Sequence, residues 1–197
     1  MGRTPLARGV VNFEDQGVDP PAEVVLDTCF VVAALNQAEP MHAAAVGYLT
    51  RLIDAQSLLV FNRLLEVELA EVAFKLAVKE RHGNKNWLSK RGDGRVRRRA
   101  GRLTKDLLSS WRDIVSLNPS LCVELEEVSD DVPTALQKWG LASYDAVHAL
   151  TAIYAGSPQL ITVDAGFGWV PEKQLSLFVD SSRVAACRRR RGGSQSK

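Results

Sequence analysis

The chain is poor in the features that mark secreted, disulfide-bonded or membrane-bound proteins. Its 197 residues include only three cysteines, Cys29, Cys122 and Cys187, and no Cys-x-x-Cys pair. An odd number of widely spaced cysteines argues against a disulfide framework and against a zinc site. The first residues, MGRTPLARGV, lack the apolar core of a signal peptide, and no apolar run approaches membrane-spanning length. The composition therefore predicts a cytoplasmic protein with no membrane partner.

The chain also lacks internal repeats and a glycine-rich phosphate loop, but it has enough apolar residues for a core. Hydrophobic residues make up 46% of the sequence and charged residues 24%, which suits one globular domain. Short apolar runs alternate with segments of helical pattern. This alternation predicts an α/β fold in which helices flank a parallel sheet. We expect the strands at residues 24–26, 58–61, 121–124, 160–163 and 175–178.

Composition divides the chain into three parts. Residues 1–21 are polar and contain Gly2, Gly9, Gly17, Pro20 and Pro21, which indicates a flexible N-terminal arm. Residues 22–180 hold all the predicted strands and form the single folded domain, with a basic loop and helix inserted at residues 79–105. Residues 181–197 are rich in Arg, Gly and Ser, and we expect a disordered tail.

Four acidic residues are the most informative feature of the chain. Asp27 ends the run Val24–Leu26, and Asp164 ends the run 160–163, so both carboxylates stand at the ends of apolar strands. Asp145 lies at the start of a small-residue helix, and Glu68 lies early in the helix that follows the second strand. A lone aspartate at a strand end is more often a cap or turn former. The joint occurrence favours a shared site, because parallel α/β sheets bind ligands beyond the carboxyl ends of their strands.

These segments resemble the PIN-domain nucleases, and in particular the VapC-type ribonuclease toxins of toxin–antitoxin pairs. The matching motifs are Val25-Leu26-Asp27-Thr28, Glu68-Leu69, Tyr144-Asp145-Ala146-Val147-His148-Ala149 and Ile161-Thr162-Val163-Asp164. The resemblance covers roughly residues 24–178. It implies a metal-dependent endoribonuclease that hydrolyses RNA phosphodiester bonds, an antitoxin protein as partner, and a homodimer.

By this resemblance, the catalytic and metal-binding residues would be Asp27, Glu68, Asp145 and Asp164, with Mg²⁺ or Mn²⁺ as the cofactor. Carboxylate oxygens are the ligands that these hard cations prefer. The glutamate has an alternative. Spacing from the strand end favours Glu68, whereas a helical wheel places Glu66 on the side of the small alanines and Glu68 on a charged stripe. Thr28 and Thr162 stand next to the acids and would hydrogen-bond them, or would be ordinary strand-end residues.

The basic segment at residues 79–105 predicts a nucleic-acid contact. Eleven lysine and arginine residues lie there against only two acids, Glu80 and Asp93. Such an imbalance is typical of phosphate binding, although it also occurs on solvated helix faces. The residues that we expect to contact RNA are Arg95, Arg97, Arg98, Arg99 and Arg102.

Two other functional classes compete with the nuclease. The first is a PIN-like nucleic-acid-binding module whose acids bind metal weakly or only support the fold. The second is a receiver-type phosphotransfer domain, which the sequence disfavours because it lacks the acidic cluster and the lysine that such a site requires. Cleavage of RNA that depends on metal and on Asp27 would separate the nuclease from the binding module.

Overall fold

Six parallel strands form the centre of the protein. The computed structural model describes residues 9–193. Every strand pairing in this range is parallel, and the strand order is β1-β6-β5-β2-β3-β4. The predicted α/β fold with a parallel sheet flanked by helices is confirmed. The strands are β1 (Val10–Asn12), β2 (Glu23–Leu26), β3 (Leu58–Asn62), β4 (Ser120–Val123), β5 (Gln159–Ile161) and β6 (Ser176–Val179).

Eight helices cover the two faces of this sheet within residues 9–193. They are α1 (Thr28–Leu35), α2 (His42–Asp54), α3 (Leu64–His82), α4 (Gly94–Leu117), α5 (Glu126–Ser129), α6 (Val132–Trp139), α7 (Ser143–Tyr154) and α8 (Ser181–Gly193). None of them is both long enough and apolar enough to cross a lipid bilayer.

The strand residues alternate between two hydrophobic cores, as the pleat of a strand requires. Val25, Val60 and Leu160 belong to the core beneath α6 and α7. Val24 and Leu26 point to the opposite face and pack with α1, α2 and the end of α4. A charged residue just after such a strand therefore lies outside the two apolar layers, at the carboxyl edge of the sheet. At this edge β2 lies between β3 and β5.

The sheet order puts a topological switch point at β2. The chain moves from β2 to β3 on one side and later returns to β5 on the other side. Connections leave β2 in opposite directions at this point, which opens a crevice at the carboxyl ends of the strands. The segments that follow β2, β3 and β5 therefore reach the same edge.

Helices α3 and α4 form an antiparallel hairpin that extends beyond this carboxyl edge. Trp111 packs edge-on against Phe61 near the end of β3, with ring centroids 5.0 Å apart. From there α4 descends along the sheet until the carbonyl of Pro119 accepts a hydrogen bond from Leu59 N. The part of α4 before Trp111 therefore lies past the strand ends. A small separate core, formed by Ala77, Val78, Val96 and Ala100, holds this distal part together.

The predicted flexible arm is wrong for part of residues 9–21. Val10–Asn12 form β1, which pairs with β6, and the N–H of Phe13 extends this ladder by donating to Val179 O. The ring of Phe13 is buried and stacks on Tyr48 with centroids 5.2 Å apart. Composition missed this strand because it is short and is surrounded by turn residues. Residues 1–8 lie outside the described part of the chain.

The predicted disordered tail is wrong for residues 181–193, which form α8. Val184 and Cys187 lie one turn apart and pack against the core, and Cys187 is fully buried. The guanidinium of Arg191 donates to Leu175 O. The run of arginines suggested disorder by composition, but its aliphatic stems and the small residues before it supply a buried face. The rest of the predicted tail, residues 194–197, is not described.

Candidate active site

Asp27 lies at the junction of β2 and α1 and is almost completely buried. The residue is 2% exposed, and its Oδ2 accepts a hydrogen bond of 2.6 Å from Thr162 Oγ1. It occupies the N-cap position of α1, yet its side chain caps no backbone N–H. Burial raises the pKa of Asp27, against the lowering effects of His148 and Thr162. The carboxylate therefore lies in the crevice and does not cap α1.

Thr162 connects Asp27 to Asp164. Its hydroxyl donates to Asp27 and accepts a hydrogen bond of 2.8 Å from Asp164 N. Asp164 caps the 3₁₀ turn at Ala165–Trp169, because its Oδ1 accepts from Gly166 N at 2.7 Å. Of the two alternatives for Thr162, the hydrogen bond to a carboxylate is therefore the one that the structure shows. Asp164 thus caps a turn and also lies near Asp27. A strand-end aspartate can therefore be both a cap and a member of a shared site.

The two glutamates of α3 point to different neighbours. Glu68 Oε2 accepts a hydrogen bond of 2.5 Å from Thr28 Oγ1 and lies 2.7 Å from His148 Nε2. Glu66 instead forms an ion pair of 3.1 Å with Arg112 of α4. The structure thus brings Glu68, and not Glu66, towards Asp27. A helical wheel compares positions around α3 alone, whereas the partners of Glu68 belong to α1 and α7.

His148 lies at the centre of the acidic side chains. It is fully buried, and its Nε2 lies 3.1 Å from Thr28 Oγ1 and 3.7 Å from Asp27 Oδ1 as well as close to Glu68. Burial alone would lower the pKa of His148, but the hydrogen bond to Glu68 and the nearby carboxylates raise it. His148 is therefore a histidine whose ring is hydrogen-bonded to a carboxylate of another helix.

Asp145 lies in the first turn of α7, one turn before His148. Burial raises its pKa to about 6, and the negative charges of Asp27 and Asp164 add to the shift. Ser143 is the first residue of this helix and makes no capping bond, and the N-cap position belongs to Ala142. The raised pKa means that burial, and next the neighbouring carboxylates, destabilise the ionised form of Asp145.

The charges of all four predicted acids affect the pKa of one side chain, that of Cys29. The Cys29 side chain is exposed beside the crevice. Its pKa is raised chiefly by the charge of Asp27, with desolvation next and smaller effects from Asp164, Glu68 and Asp145. Four carboxylates from four separate segments therefore converge at the carboxyl edge of β2 and β5.

The donor chemistry of this site suits a hard divalent cation, but its side chains are not arranged as one ligand cluster. No group of three or more His, Cys, Asp or Glu side chains within residues 9–193 has the spacing to hold a metal ion. Glu68 is held by Thr28 and His148. The site therefore fits such a cation in charge and in oxygen donors, and it would need side-chain adjustment to surround one.

The predicted RNA-contacting arginines lie on α4, away from the acids. Arg95, Arg97, Arg98 and Arg102 are exposed. Arg99 is paired with an acid of α3, because its Nε and Nη2 donate to both carboxylate oxygens of Glu80 at 2.7 and 2.8 Å. The exposed members remain available to a phosphate, and Arg99 chiefly joins α4 to α3.

Asp180 is a buried acid that the sequence reading missed. It ends β6 at the same carboxyl edge, and its Oδ1 accepts from Ser182 N at 3.0 Å. Arg183 Nη1 contacts the same oxygen at 3.3 Å. The position after an apolar strand could have drawn attention to it. Its contacts are those of a cap for α8, so we do not add it to the candidate site.

Comparison with known families agrees with this architecture. The PIN domain family matches residues 24–173 of the chain. No curated protein matches it. PIN domains are generally nucleases and typically use divalent metal ions. The match spans the segments that carry Asp27, Glu68, Asp145 and Asp164, and it covers most of the chain, so this protein belongs to the PIN domain family.

Proposed function

We propose that the protein is a metal-dependent endoribonuclease that hydrolyses RNA phosphodiester bonds. The observation that carries this proposal is the grouping of four acids at one edge of the sheet. Glu68 and Asp27 lie 2.7 and 3.7 Å from the same nitrogen of His148. Thr162 links Asp27 to Asp164, and Asp145 lies one helical turn before His148. Buried carboxylates are costly to ionise together unless a cation neutralises them. A fold retains such a cluster at a stability cost when the cluster has a function.

The four acids would hold one or two Mg²⁺ or Mn²⁺ ions. When bound, such an ion activates a water for in-line attack on the phosphodiester and neutralises charge on the leaving oxygen. Thr162 orients Asp27 through a hydrogen bond of 2.6 Å, and Thr28 orients Glu68. These hydroxyls fix the directions of the carboxylates, as neighbours of metal ligands commonly do.

His148 would act as the positive partner of the acids. Its Nε2 lies 2.7 Å from Glu68 and 3.7 Å from Asp27, so a protonated ring offsets part of their repulsion. This role is positional, because the ring is fully buried beneath the carboxylates. An RNA phosphate would meet the acids before it met His148.

RNA would be bound by the outer face of α4. Arg95, Arg98, Arg102 and Lys105 are spaced by three, four and three residues, which places them on one exposed face. Arg97 lies about 100° from Arg98 around the helix and leaves this stripe. We therefore narrow the predicted RNA-contacting set to Arg95, Arg98 and Arg102, and we add Lys105.

A second candidate is a nucleic-acid-binding module without strong catalytic activity. The hydrogen bonds that hold Glu68 to Thr28 and His148 favour it, since they use the oxygen that a cation would need. The same α4 stripe would then bind RNA that is not cut.

One experiment separates these two functions. Purified wild-type protein and the Asp27→Asn variant are incubated with end-labelled structured RNAs in Mg²⁺, Mn²⁺ or EDTA, and the cut sites are mapped. The nuclease cuts with metal, and it does not cut in EDTA or as Asp27→Asn. Binding of intact RNA by both proteins in every buffer would instead establish the binding module.

We further propose that the nuclease is the toxin of a toxin–antitoxin pair, in which an antitoxin blocks the acidic crevice with an arginine or lysine. The motif resemblance supports this role and a homodimer. Expression of the chain alone should arrest bacterial growth, whereas expression of Asp27→Asn should not. Normal growth with abundant soluble wild-type protein would remove the toxin role and leave the nuclease untouched.

A further inference from the structure

Helix α8 is fastened to the segment that carries Asp164. The 3₁₀ turn at Ala165–Trp169 follows Asp164 directly and packs against α8. A Cβ atom at Gly168 would lie 3.0 Å from Cys187 Cα and 3.1 Å from Cys187 O, so the two backbones touch there. The side chains on this turn and on the facing turn of α8 are therefore held in fixed positions next to the acidic crevice.

Trp169 is the unusual residue of this turn. Phe167 and Val170, on either side of it, are fully buried, whereas Trp169 is 45% exposed. A 3₁₀ turn rises about 2.0 Å per residue, so Trp169 lies within about 10 Å of Asp164 along the chain. A large aromatic surface thus stands at the border of the candidate active site.

A positive charge lies against this indole ring. The guanidinium of Arg190 lies 5.7 Å from the ring centroid of Trp169. Within residues 9–193, Arg190 Nη1 is a buried donor that has no hydrogen-bond acceptor. Arg188 and Arg189 are exposed on the same helix, and residues 181–193 contain no acidic residue. An aromatic face beside several arginines is complementary to a base and its phosphates.

We infer that Trp169 and Arg190 form a stacking platform for one unpaired base of the RNA substrate. This inference rests on the proposed ribonuclease function and assigns it a preference for single-stranded RNA next to the scissile bond. The indole stacks on the base, Arg190 supports the indole from its own side through the cation–π contact, and the exposed Arg189 attracts a neighbouring phosphate. The α4 stripe lies on the other side of the sheet's carboxyl edge, so the two surfaces would hold separate stretches of one RNA.

The test uses the full chain with Asp27→Asn in every sample, so that RNA stays intact. Binding of a fluorescein-labelled single-stranded RNA of mixed sequence is followed by anisotropy in EDTA. Trp169→Leu keeps an apolar side chain but removes the ring, and it should weaken binding roughly 5- to 50-fold. Trp169→Phe keeps a ring and should lose much less. Tyr154→Leu is the matched control, because Tyr154 is an equally exposed aromatic distant from this turn, and it should bind like the parent.

The salt dependence adds a second readout. Trp169→Leu should leave the slope of log Kd against log salt unchanged, because stacking releases no counterions, whereas Arg189→Gln should reduce the slope by about 0.7. Equal RNA affinity of Trp169→Leu and the parent would overturn the platform and leave the nuclease standing. Absence of RNA binding by the parent itself would overturn the proposed function, and the platform with it.

Discussion

The carboxyl edge of the sheet and the α3–α4 hairpin handle acidic residues in opposite ways. On the hairpin, the hydrogen bond from Arg99 lowers the pKa of Glu80, and backbone N–H groups at the start of α4 lower the pKa of Asp93. At the carboxyl edge, burial and mutual repulsion raise the pKa values of Asp27 and Asp145. The hairpin acids stabilise the protein when ionised, whereas the edge acids cost stability.

This contrast separates acids that support the fold from acids that, under the proposed function, bind a cation. The hairpin acids have arginines and helix ends as partners within the chain. The edge acids share one histidine among several carboxylates, so a further cation would improve their energy. Substitutions in the two regions should therefore have opposite consequences for activity and stability.

The largest expected difference is between the two glutamates of α3. Glu68→Gln should reduce RNA cleavage at least about 100-fold, because it removes a charge from the acidic crevice, which corresponds to about 2.7 kcal/mol of transition-state stabilisation. Glu66→Gln is the matched control, as it breaks the surface pairs with Arg112 and Arg63, and it should change cleavage less than about threefold. Initial rates at saturating metal measure both. The reverse order would mean that the site glutamate is Glu66.

A smaller effect is expected on stability, and it should depend on pH. The pKa of Asp145 is about 6 in the folded protein, above its ordinary value of 3.8, so ionisation destabilises the fold. Stability in EDTA should therefore fall as pH rises from about 4 through 6. Asp145→Asn removes this cost and should raise Tm by about 3–6 °C at pH 8, with little change at pH 4. Thermal melts at the two pH values measure the effect.

The stability test has a matched contrast on the hairpin. Glu80→Gln loses a favourable ion pair with Arg99 and should lower Tm slightly at pH 8. Adding Mg²⁺ or Mn²⁺ should raise the Tm of the wild type but not that of Asp145→Asn, because only the intact site gains by binding the ion. A lower Tm for Asp145→Asn in EDTA would show that Asp145 supports the fold.

The smallest expected effect concerns the α4 stripe. Arg98→Gln with Arg102→Gln should weaken RNA binding and reduce its log–log salt slope by about 1.4, or about 0.7 for each phosphate contact. Cleavage at saturating RNA should persist, because these side chains are remote from the acids. Arg99→Gln is the control, since Arg99 is paired with Glu80, and it should leave the salt slope unchanged. An unchanged slope in the double variant would make the stripe a solvated face.

Much of the fold was predictable because the buried strands are short apolar runs. The five expected strands agree with β2 to β6 within two residues at either end. The failures lie at the two ends of the described chain. Three residues of β1 carry little pattern by themselves, and their stability depends on pairing with β6. The arginines of α8 concealed a narrow buried stripe.

The candidate site was predictable only in part. The aspartates stand at strand ends or a helix start, where local sequence signals a site. The choice between Glu66 and Glu68 needed the positions of α1 and α7, which no single helical wheel contains. Trp169 gave no sequence signal, because its exposure follows from how the 3₁₀ turn packs on α8. The catalytic roles of all four acids remain predictions.

The pairing of β1 with β6 affects when the sheet can be completed during synthesis on the ribosome. The first strand along the described chain pairs only with the last one. Residues 10–12 therefore cannot enter the sheet until residues 177–179 have been made. Pairings of such long sequence separation form late and slowly. Asp164, which precedes β6, also emerges after most of the chain has been made. The nascent polypeptide therefore contains Asp27, Glu68 and Asp145 before Asp164 and the last strand of the described sheet have been made.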